Sequence, residues 1–385
     1  MTDADSALRG VLVLEVGLLV QGPLAAQTLG DLGADVIKVE LPGVGDYSRW
    51  IPASGTDRRP PWFIACNRGK RSVSIDLRTA AGAELFRELC AHADVVVSNF
   101  SPGTMERWGL GYAELAARSP GLIYAHGTAF GPAGERAGAG GLDLSLQASA
   151  GLVSVTGPAG SGGFPVGATI GDYIGGQNLA LGVLAALLYR ARTGQGQQVT
   201  TSVLGGLLHA QGPEITAFAM TKASSGPAGH GHPVFRSLYG VFPTADGQIA
   251  ITHIPEESKS AFWRLVGIDR AQAEAAQLDE RDGADRQALL TALSARLETE
   301  PGALWCQRFD ELAVGCALVR DYDALLQDPS VFAAGYLQQI HHEKWGDIVG
   351  PGTPIGLSAS PVRPGRDIPA VGAHTQQVLR ELLGR

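Results

Sequence analysis

Short apolar runs alternate with amphipathic segments over the first third of the chain. The apolar runs, each four to eight residues long and rich in Val, Ile and Leu, predict buried strands, and the amphipathic segments predict helices. Strands are predicted at 10–17, 35–40, 72–77, 94–100 and 122–127, with helices at 22–34 and 80–93 among them. Because strands that alternate with helices pair in parallel and are covered on both faces, this order predicts a doubly wound, Rossmann-like α/β domain.

The pattern changes after a long apolar segment at 177–192, which is apolar on nearly every side and predicts a buried helix. The stretch 222–233 is rich in Gly, Pro and Ser and predicts a linker. Two strands around an Asp-Gly turn follow within 238–254, and then charged helices. We expect a large domain of 1–228, to which 321–385 returns, and a small α+β domain of 229–320.

Composition and charge narrow the class of protein. The chain has 385 residues, of which 45% are hydrophobic and 18% charged, which is typical of a globular protein. Its net charge of −8 argues against a nucleic-acid partner. The first residues lack the apolar stretch of a signal peptide, and Leu179–Tyr189 is too short to span a membrane. Four cysteines without metal-type spacing indicate reduced thiols, so we expect a cytoplasmic protein with no metal site and no membrane partner.

Asp172 is the only acid in GATIGDYIGG, residues 167–176. It precedes the predicted long helix, where an aspartate commonly caps the helix by accepting backbone N–H groups. The same N–H groups and the helix dipole would keep the carboxylate ionised in a water-poor pocket, and Gly171, Gly175 and Gly176 would leave room for a bulky substrate. A carboxylate held in this way can attack a thioester carbonyl. Both interpretations, cap and nucleophile, are open at this point.

Two loops carry cationic, amide and aromatic side chains next to predicted strand ends: Arg68, Lys70 and Arg71 in 67–72, and Asn99, Phe100, Arg107 and Trp108 in 99–109. Open α/β sheets bind ligands at the carboxyl ends of their strands, so these loops could bind a polyphosphate and a base. The alternative is that the charges are solvated. The first β–α turn, GLLVQG, lacks the G-x-G-x-x-G spacing of a dinucleotide site, so no nicotinamide or flavin is expected there.

Many segments taken in order resemble one family. They include GPLAAQTLGDLGADVIKVE, NRGKRSVSIDL, ADVVVSNFSPGTMERWGL, GLDLSLQASAG, GATIGDYIGG and RTGQGQQV. These segments are similar to those of the family III CoA-transferases, the CaiB/BaiF and formyl-CoA transferase group, and the resemblance covers nearly the whole chain. It implies a CoA-transferase with acyl-CoA and a small carboxylic acid as substrates, no tightly bound cofactor, and an interlocked homodimer.

The resemblance also implies roles for single residues. Asp172 would be the nucleophile, forming first an aspartyl anhydride with the acyl group and then an aspartyl-CoA thioester. Asp143 would lie close to the reacting thioester. Gln21 is displaced by one position, in the alignment, from the family's active-site glutamine. The positions that would contact coenzyme A are Lys38, Lys70, Arg71, Asn99, Phe100 and Arg107.

Two alternatives remain open. The same family contains α-methylacyl-CoA racemases, which need a titratable group on each face of the substrate, typically a histidine just before the acid of the GLD segment. Here Leu142 precedes Asp143, which favours transfer, although His126 could supply a proton if it reached the pocket. The second alternative is a non-catalytic acyl-CoA-binding relative, since a fold does not fix a function.

Overall fold

The structure is a computed structural model that describes residues 6–223, 226–229, 231–232, 234–235, 238–278, 283–362, 364–365 and 367–385. Four residues of the predicted linker, at 224, 225, 230 and 233, lie outside this set. Within the described ranges, strands and helices alternate from Leu12 onward in the order that the apolar pattern predicts.

A six-stranded sheet in the order β3-β2-β1-β4-β5-β6 forms the centre of the fold. Its strands are β1 (Leu12–Glu15), β2 (Asp35–Glu40), β3 (Arg71–Ser74), β4 (Val95–Ser98), β5 (Ile123–Thr128) and β6 (Gln198–Ser202). All pairs are parallel, and Val13 of β1 lies opposite both Val36 and Val95. The predicted parallel α/β sheet is therefore confirmed. The strand order changes direction between β1 and β4, which opens a crevice at their carboxyl ends.

Seventeen α-helices lie within the described ranges. They are α1 (Gln21–Asp31), α2 (Pro61–Cys66), α3 (Ala80–Cys90), α4 (Thr104–Arg107), α5 (Tyr112–Arg118), α6 (Asp143–Ser149), α7 (Leu152–Val155), α8 (Ile170–Thr193), α9 (Val203–Ala210), α10 (Gly212–Thr221), α11 (Lys259–Leu265), α12 (Arg270–Leu278), α13 (Ala284–Leu297), α14 (Gly302–Asp310), α15 (Tyr322–Leu326), α16 (Pro329–Ala333) and α17 (Thr375–Leu383). No helix in the described ranges is both long and apolar enough to cross a bilayer.

Helices cover both faces of the parallel sheet. Val13 and Ala125 point to the face covered by α1 and α8, whereas Leu14 and Tyr124 point to the face covered by α3, α5 and α17. This alternation is the two-residue period of a strand, and it explains why the central strands are apolar throughout. The helix predicted at 177–192 begins seven residues earlier, so Asp172 lies inside α8 rather than before it.

The chain divides into two compact units. The first comprises residues 1–150, 167–210 and 329–385, and the second comprises 151–166 and 211–328. The first unit contains the parallel sheet and a hairpin of β10 (Leu337–His342) and β11 (Gly346–Pro351). The second contains an antiparallel sheet in the order β7-β8-β9, with β7 (Gly240–Thr244), β8 (Gly247–His253) and β9 (Gly315–Leu318).

The second unit extends beyond the range expected for the small domain, 229–320. It begins at 151–166 and includes α10. A backbone hydrogen bond of 3.0 Å from the Gly229 N–H to the Gly157 carbonyl joins that early segment to the part of the chain that leads into β7. Sequence patterning does not reveal such a contact, because it joins loops that are far apart along the chain.

An apolar cluster holds the helices of the second unit against its sheet. Ile249 and Ile251 of β8 are fully buried against Phe262, Trp305 and Phe309. The Trp305 indole lies 5.7 Å from the Phe309 ring and its Nε1 donates a 2.8 Å hydrogen bond to a backbone carbonyl of α13. Trp305 therefore joins α14 to both the sheet and α13.

We expect Trp305→Ala to lower the free energy of unfolding by about 3–5 kcal/mol, because it leaves a cavity and an unpaired carbonyl. Urea denaturation followed by circular dichroism measures the change. Trp50→Ala is the control, since Trp50 is 61% exposed and its loss should shift the transition little. Equal losses in the two variants would contradict this account of the core.

Candidate active site

The first turn of α8 is capped by a side chain from another helix. Oδ1 of Asp143, the first residue of α6, accepts the backbone N–H groups of Gly171 at 2.7 Å and of Asp172 at 3.0 Å. Thr169, at the N-cap position, makes no side-chain capping hydrogen bond. A helix N-terminus leaves its first N–H groups without partners and attracts negative charge. The Asp143 carboxylate therefore occupies the anion position at the start of α8.

Asp172 is the third residue of α8 and is not its cap. Its side chain is half-buried and has no hydrogen-bond or ion-pair partner within the described part of the chain. Burial, and secondarily the charge of Asp143, raise the pKa of Asp172 to about 7. The expectation that helix N–H groups keep this carboxylate ionised is wrong, because Asp143 accepts those N–H groups.

The glycines around Asp172 serve helix packing rather than space for a substrate. Gly171, Gly175 and Gly176 are all buried. A Cβ atom at Gly171 would lie 2.9 Å from Oδ1 of Asp143, and one at Gly175 would lie 2.9 Å from Nε2 of Gln21. The absence of side chains therefore lets α8 approach α6 and α1 closely enough for the Asp143 contact.

Gln21, the first residue of α1, is buried beneath α8. Its Nε2 donates to the carbonyl of Thr128 at 3.5 Å, and its side chain packs against Gly175, one turn after Asp172. The three residues expected to be catalytic, Asp172, Asp143 and Gln21, thus lie on or against the first two turns of α8.

Asn99 follows β4 and fixes the loop that leaves β1. Its Oδ1 accepts the N–H of Leu18 at 2.7 Å and its Nδ2 donates to the Leu18 carbonyl at 2.9 Å. The next residue, Leu19, has a φ of 64°, which is strained for a side chain of this kind. Both polar atoms of the Asn99 amide therefore bond to the backbone of Leu18 and hold this strained loop next to the crevice between β1 and β4.

Phe100 and Arg107 lie on the segment that leaves β4. The Phe100 ring is half-buried and contacts Trp108 edge-on at 5.3 Å. Arg107 is exposed, and its Nη2 donates to Oγ1 of Thr104 at 2.9 Å, while no carboxylate of the described chain forms an ion pair with it. A guanidinium without a carboxylate partner, close in the chain to an aromatic ring, is suited to a phosphate group.

Lys38 is fully buried near the carboxyl end of β2. Its Nζ lies 3.0 Å from Oε2 of Glu15 and 2.9 Å from Oδ2 of Asp46, and donates to the Gly17 carbonyl at 3.0 Å. Burial works against its charge, but Asp46 and Glu15 prevail and raise its pKa above the usual value. An ammonium has three N–H donors, so Lys38 has none left for a phosphate.

Lys70 is also fully buried and shares Glu15 with Lys38. Its Nζ donates to Oε2 of Glu15 at 3.2 Å, to the Pro23 carbonyl at 2.8 Å and to Oδ1 of Asn67 at 2.8 Å. Burial lowers its pKa to about 8. Both lysines, expected at coenzyme A, instead connect the loops next to β1 from inside. Glu15, which pairs with both lysines, was not predicted from the sequence. Its place as the only charged residue in the apolar run LVLEVG is the signal that could have identified it.

Arg71 lies away from the crevice. It is the first residue of β3, and its guanidinium pairs with Asp35 at the amino end of β2 and with Oε2 of Glu381 at 2.6 Å. Ligands of open α/β sheets lie at the opposite, carboxyl ends of the strands. The structure therefore separates Arg71 from Asn99, Phe100 and Arg107, and gives it a role in fastening α17.

A cavity of about 830 Å³ lies within the second unit, and His232, Phe235 and Tyr239 form an aromatic cluster in its wall. Nε2 of His232 lies 3.0 Å from Oε1 of Glu214. Across the described ranges, no group of three or more His, Cys, Asp or Glu side chains could hold a metal ion.

The raised pKa of Asp172 predicts a pH-dependent stability. Between about pH 4 and 7 the folded chain holds a proton that the unfolded chain has lost, so this carboxyl lowers stability as pH rises, and its effect is complete above about pH 7. Asp172→Asn should therefore gain about 2–4 kcal/mol relative to the wild type between pH 4 and pH 8. Urea denaturation across this range measures the gain.

Asp76→Asn provides a control of opposite sign. A hydrogen bond from Arg78 lowers the pKa of Asp76, so this variant should lose stability relative to the wild type as pH rises. Parallel stability curves for Asp172→Asn and the wild type would contradict the raised pKa.

The chain matches the family described as CoA-transferase family III over residues 8–375. It is 32% identical to a succinate–glutarate CoA-transferase of Agrobacterium fabrum, over 99% of this chain and 97% of that protein. It is 33% identical to a succinyl-CoA–D-citramalate CoA-transferase of Chloroflexus aurantiacus, over 98% and 94%. The crystal structure of a CaiB/BaiF family protein from Brucella suis aligns with a TM-score of 0.84 at 31% identity, over 98% of this chain and 100% of that one. The predicted enzyme class, a CoA-transferase, is confirmed, and the chain belongs to CoA-transferase family III.

Proposed function

We propose that this enzyme moves coenzyme A from an acyl-CoA thioester to a small carboxylic acid, with Asp172 as the nucleophile. The observation that supports the proposal is the environment of Asp172: a half-buried carboxyl with no partner in the described chain, on a helix turn that Asp143 holds in place. A carboxylate that is poorly solvated and unpaired keeps its electron pairs available for attack on a carbonyl.

The proposed reaction has four steps that balance in atoms and charge. Ionised Asp172 attacks the acyl carbonyl of the donor, the C–S bond breaks, and CoA thiolate leaves a mixed anhydride behind. The thiolate then attacks the aspartyl carbonyl, which gives an aspartyl-CoA thioester and frees the donor acid. The acceptor carboxylate attacks this thioester to form a second anhydride and thiolate. The thiolate finally attacks the acceptor's acyl carbon, which gives the new acyl-CoA and restores Asp172.

The raised pKa fits this sequence of steps. At a pKa of about 7, roughly half of the Asp172 carboxyls are ionised at neutral pH, and the nucleophile is more basic than an ordinary aspartate. Thiolate is a good leaving group, so the mechanism demands no separate general acid. Asp143 accepts two backbone N–H groups at the N-terminus of α8 and would contribute to catalysis by holding that turn in place.

We propose that the nucleotide part of coenzyme A lies in the crevice between β1 and β4. Phe100 would stack on the base, Arg107 would pair with a phosphate, and Asn99 would shape the loop that the ligand meets. Lys38 and Lys70 would support this loop from inside.

Small dicarboxylic acids are the substrate class to test first. The two relatives described above are named for succinate, glutarate and D-citramalate. We therefore propose succinyl-CoA as the first donor, with short dicarboxylates as acceptors. All these substrates share the carboxyl and thioester carbonyl groups on which Asp172 would act. The reaction steps are therefore the same for each substrate.

Racemisation is less well supported than transfer. Leu142, beside Asp143, is 67% exposed and carries no exchangeable proton. His126 follows Tyr124 by two residues and shares its face of the sheet, whereas Ala125 points to the face covered by α8, which carries Asp172. Neither Leu142 nor His126 therefore supplies a second proton-transfer group opposite Asp172.

We further propose that the chain forms an interlocked homodimer in the cytoplasm. Leu181 and Leu188 of α8 are 65% and 64% exposed, which is typical of a surface that another subunit covers. The four cysteines are free thiols, as in reducing compartments.

Asp172→Ala should abolish transfer, with kcat reduced about 10³-fold or more, and leave the Kd for coenzyme A within a factor of two, because only the nucleophile is lost. Incubation with succinyl-CoA and hydroxylamine, followed by mass spectrometry, should find a hydroxamate at Asp172 in the wild type and none in the variant. An unmodified wild-type Asp172 that accompanies measurable turnover would refute the proposal. Uptake of deuterium at Cα of a 2-methylacyl-CoA would instead support a racemase.

Arg107→Ala should raise the Kd for coenzyme A about 10–100-fold and change kcat little, since a charge-assisted hydrogen bond to phosphate contributes about 1.5–3 kcal/mol. Arg118→Ala removes an exposed guanidinium of α5 that pairs with Glu84, and it controls for the loss of surface charge. Isothermal titration with coenzyme A measures both variants. Equal affinities in the two would place the phosphates elsewhere.

A further inference from the structure

We propose that Gln147 is a positioning residue that, through Asp143, holds the turn of α8 that bears Asp172. The inference rests on the proposed function, because it takes Asp172 to be the nucleophile. No motif in the sequence analysis singled out Gln147, and the residue lies one helical turn after Asp143 in α6.

The contacts of Gln147 link α6 to the chain just before α8. Its Nε2 donates to Oδ2 of Asp143 at 2.5 Å and approaches the carbonyl of Ala168 at 3.4 Å. Oδ1 of the same Asp143 carboxylate accepts the N–H groups of Gly171 and Asp172. The carboxylate is therefore held on one oxygen by Gln147 and holds α8 with the other.

The different burial of Gln147 and Asp143 indicates that Gln147 supports Asp143. Gln147 is 1% exposed, whereas Asp143 is only half-buried and follows a glycine-rich loop. An Asp–Gln pair four residues apart stabilises a helix by about 0.2–0.5 kcal/mol, and such a pair needs no burial. The buried amide close to the Ala168 carbonyl indicates that Gln147 fixes a tertiary contact and does more than support α6.

The amide group is required at this place for an electrostatic reason. Two carboxyls, Asp143 and Asp172, lie at one helix terminus, where Asp143 accepts two backbone N–H groups and Asp172 would cycle through covalent states. The Gln147 amide donates to Asp143 and brings the positive end of an N–H dipole, rather than a further negative charge, to this site. A glutamate at 147 would bring a third negative charge to the site, and an aliphatic side chain would give Asp143 no donor.

Two variants and a control separate positioning from simple stability. Gln147→Met removes the donor at nearly constant size, and Gln147→Glu adds a carboxylate. Gln27→Met is the matched control, because Gln27 is a buried glutamine of the same unit that donates to the Ala65 carbonyl and accepts the Arg68 N–H. All three are examined by hydrogen–deuterium exchange of the segment 167–176 and by single-turnover acylation of Asp172 with succinyl-CoA across pH.

We expect Gln147→Met to speed amide exchange in 167–176 and to slow acylation about 10–100-fold, with the Kd for coenzyme A unchanged. Gln147→Glu should shift the pH midpoint of acylation upward by about one unit, because a third carboxylate disfavours the ionised form of Asp172. Gln27→Met should change neither the exchange of 167–176 nor the pH midpoint, although it lowers the melting temperature.

Either of two results would overturn the inference. One is amide exchange in 167–176 that stays at the wild-type rate in Gln147→Met. The other is a pH midpoint of acylation that does not move in Gln147→Glu. The exchange measurement needs no substrate. If the wild type is not acylated by succinyl-CoA yet Gln147→Met alone loosens 167–176, the anchoring role stands and the proposed donor or nucleophile is wrong.

Discussion

The start of α8 has one position for an anion and two carboxyl groups that could occupy it. Asp143 takes the position by accepting two backbone N–H groups, so Asp172 has to ionise without them. The consequence is a division of roles: Asp143 anchors the start of α8, whereas Asp172 has a raised pKa and a side chain without a hydrogen-bond partner among the described residues. The fold needs the close approach of α1, α6 and α8 to maintain this division, and the buried glycines of α8 permit that approach.

A buried group of charged side chains fixes the loop that leaves β1, next to the crevice between β1 and β4. Glu15, Lys38 and Lys70 form a compact ionic group beneath the loop that leaves β1, with Asp46 as a second acid. Burying ions is unfavourable unless every donor and acceptor is paired, and here both ammonium groups have three partners each. The network thus fixes the loop between β1 and α1 without offering charge to a ligand. In the proposed coenzyme A site, the positive charge for a phosphate would come from Arg107, an exposed residue of α4.

Much of the fold was accessible from the sequence, whereas the roles of the charged residues were not. Strand periodicity predicts the parallel sheet because apolar runs such as LVLEV must be buried on both faces. The beginning of α8 was predicted too late, since the glycines near Asp172 have low helix propensity and only tertiary packing stabilises that turn. The cap from Asp143, 29 residues before Asp172, and the burial of Lys38 depend on contacts that no local pattern encodes. Gln147 could have been noticed as an amide four residues after an acid.

The glycines of α8 also bear on how this protein could be engineered. Replacing helical glycines by alanine is a common route to thermostability, because alanine gains about 1 kcal/mol of helix propensity at each exposed site. At Gly171, Gly175 and Gly176 a methyl group would meet Asp143 or Gln21 at 2.8–2.9 Å. A design method that considers only helix propensity would therefore choose three substitutions that push α8 away from α1 and α6 and so displace the turn that carries Asp172.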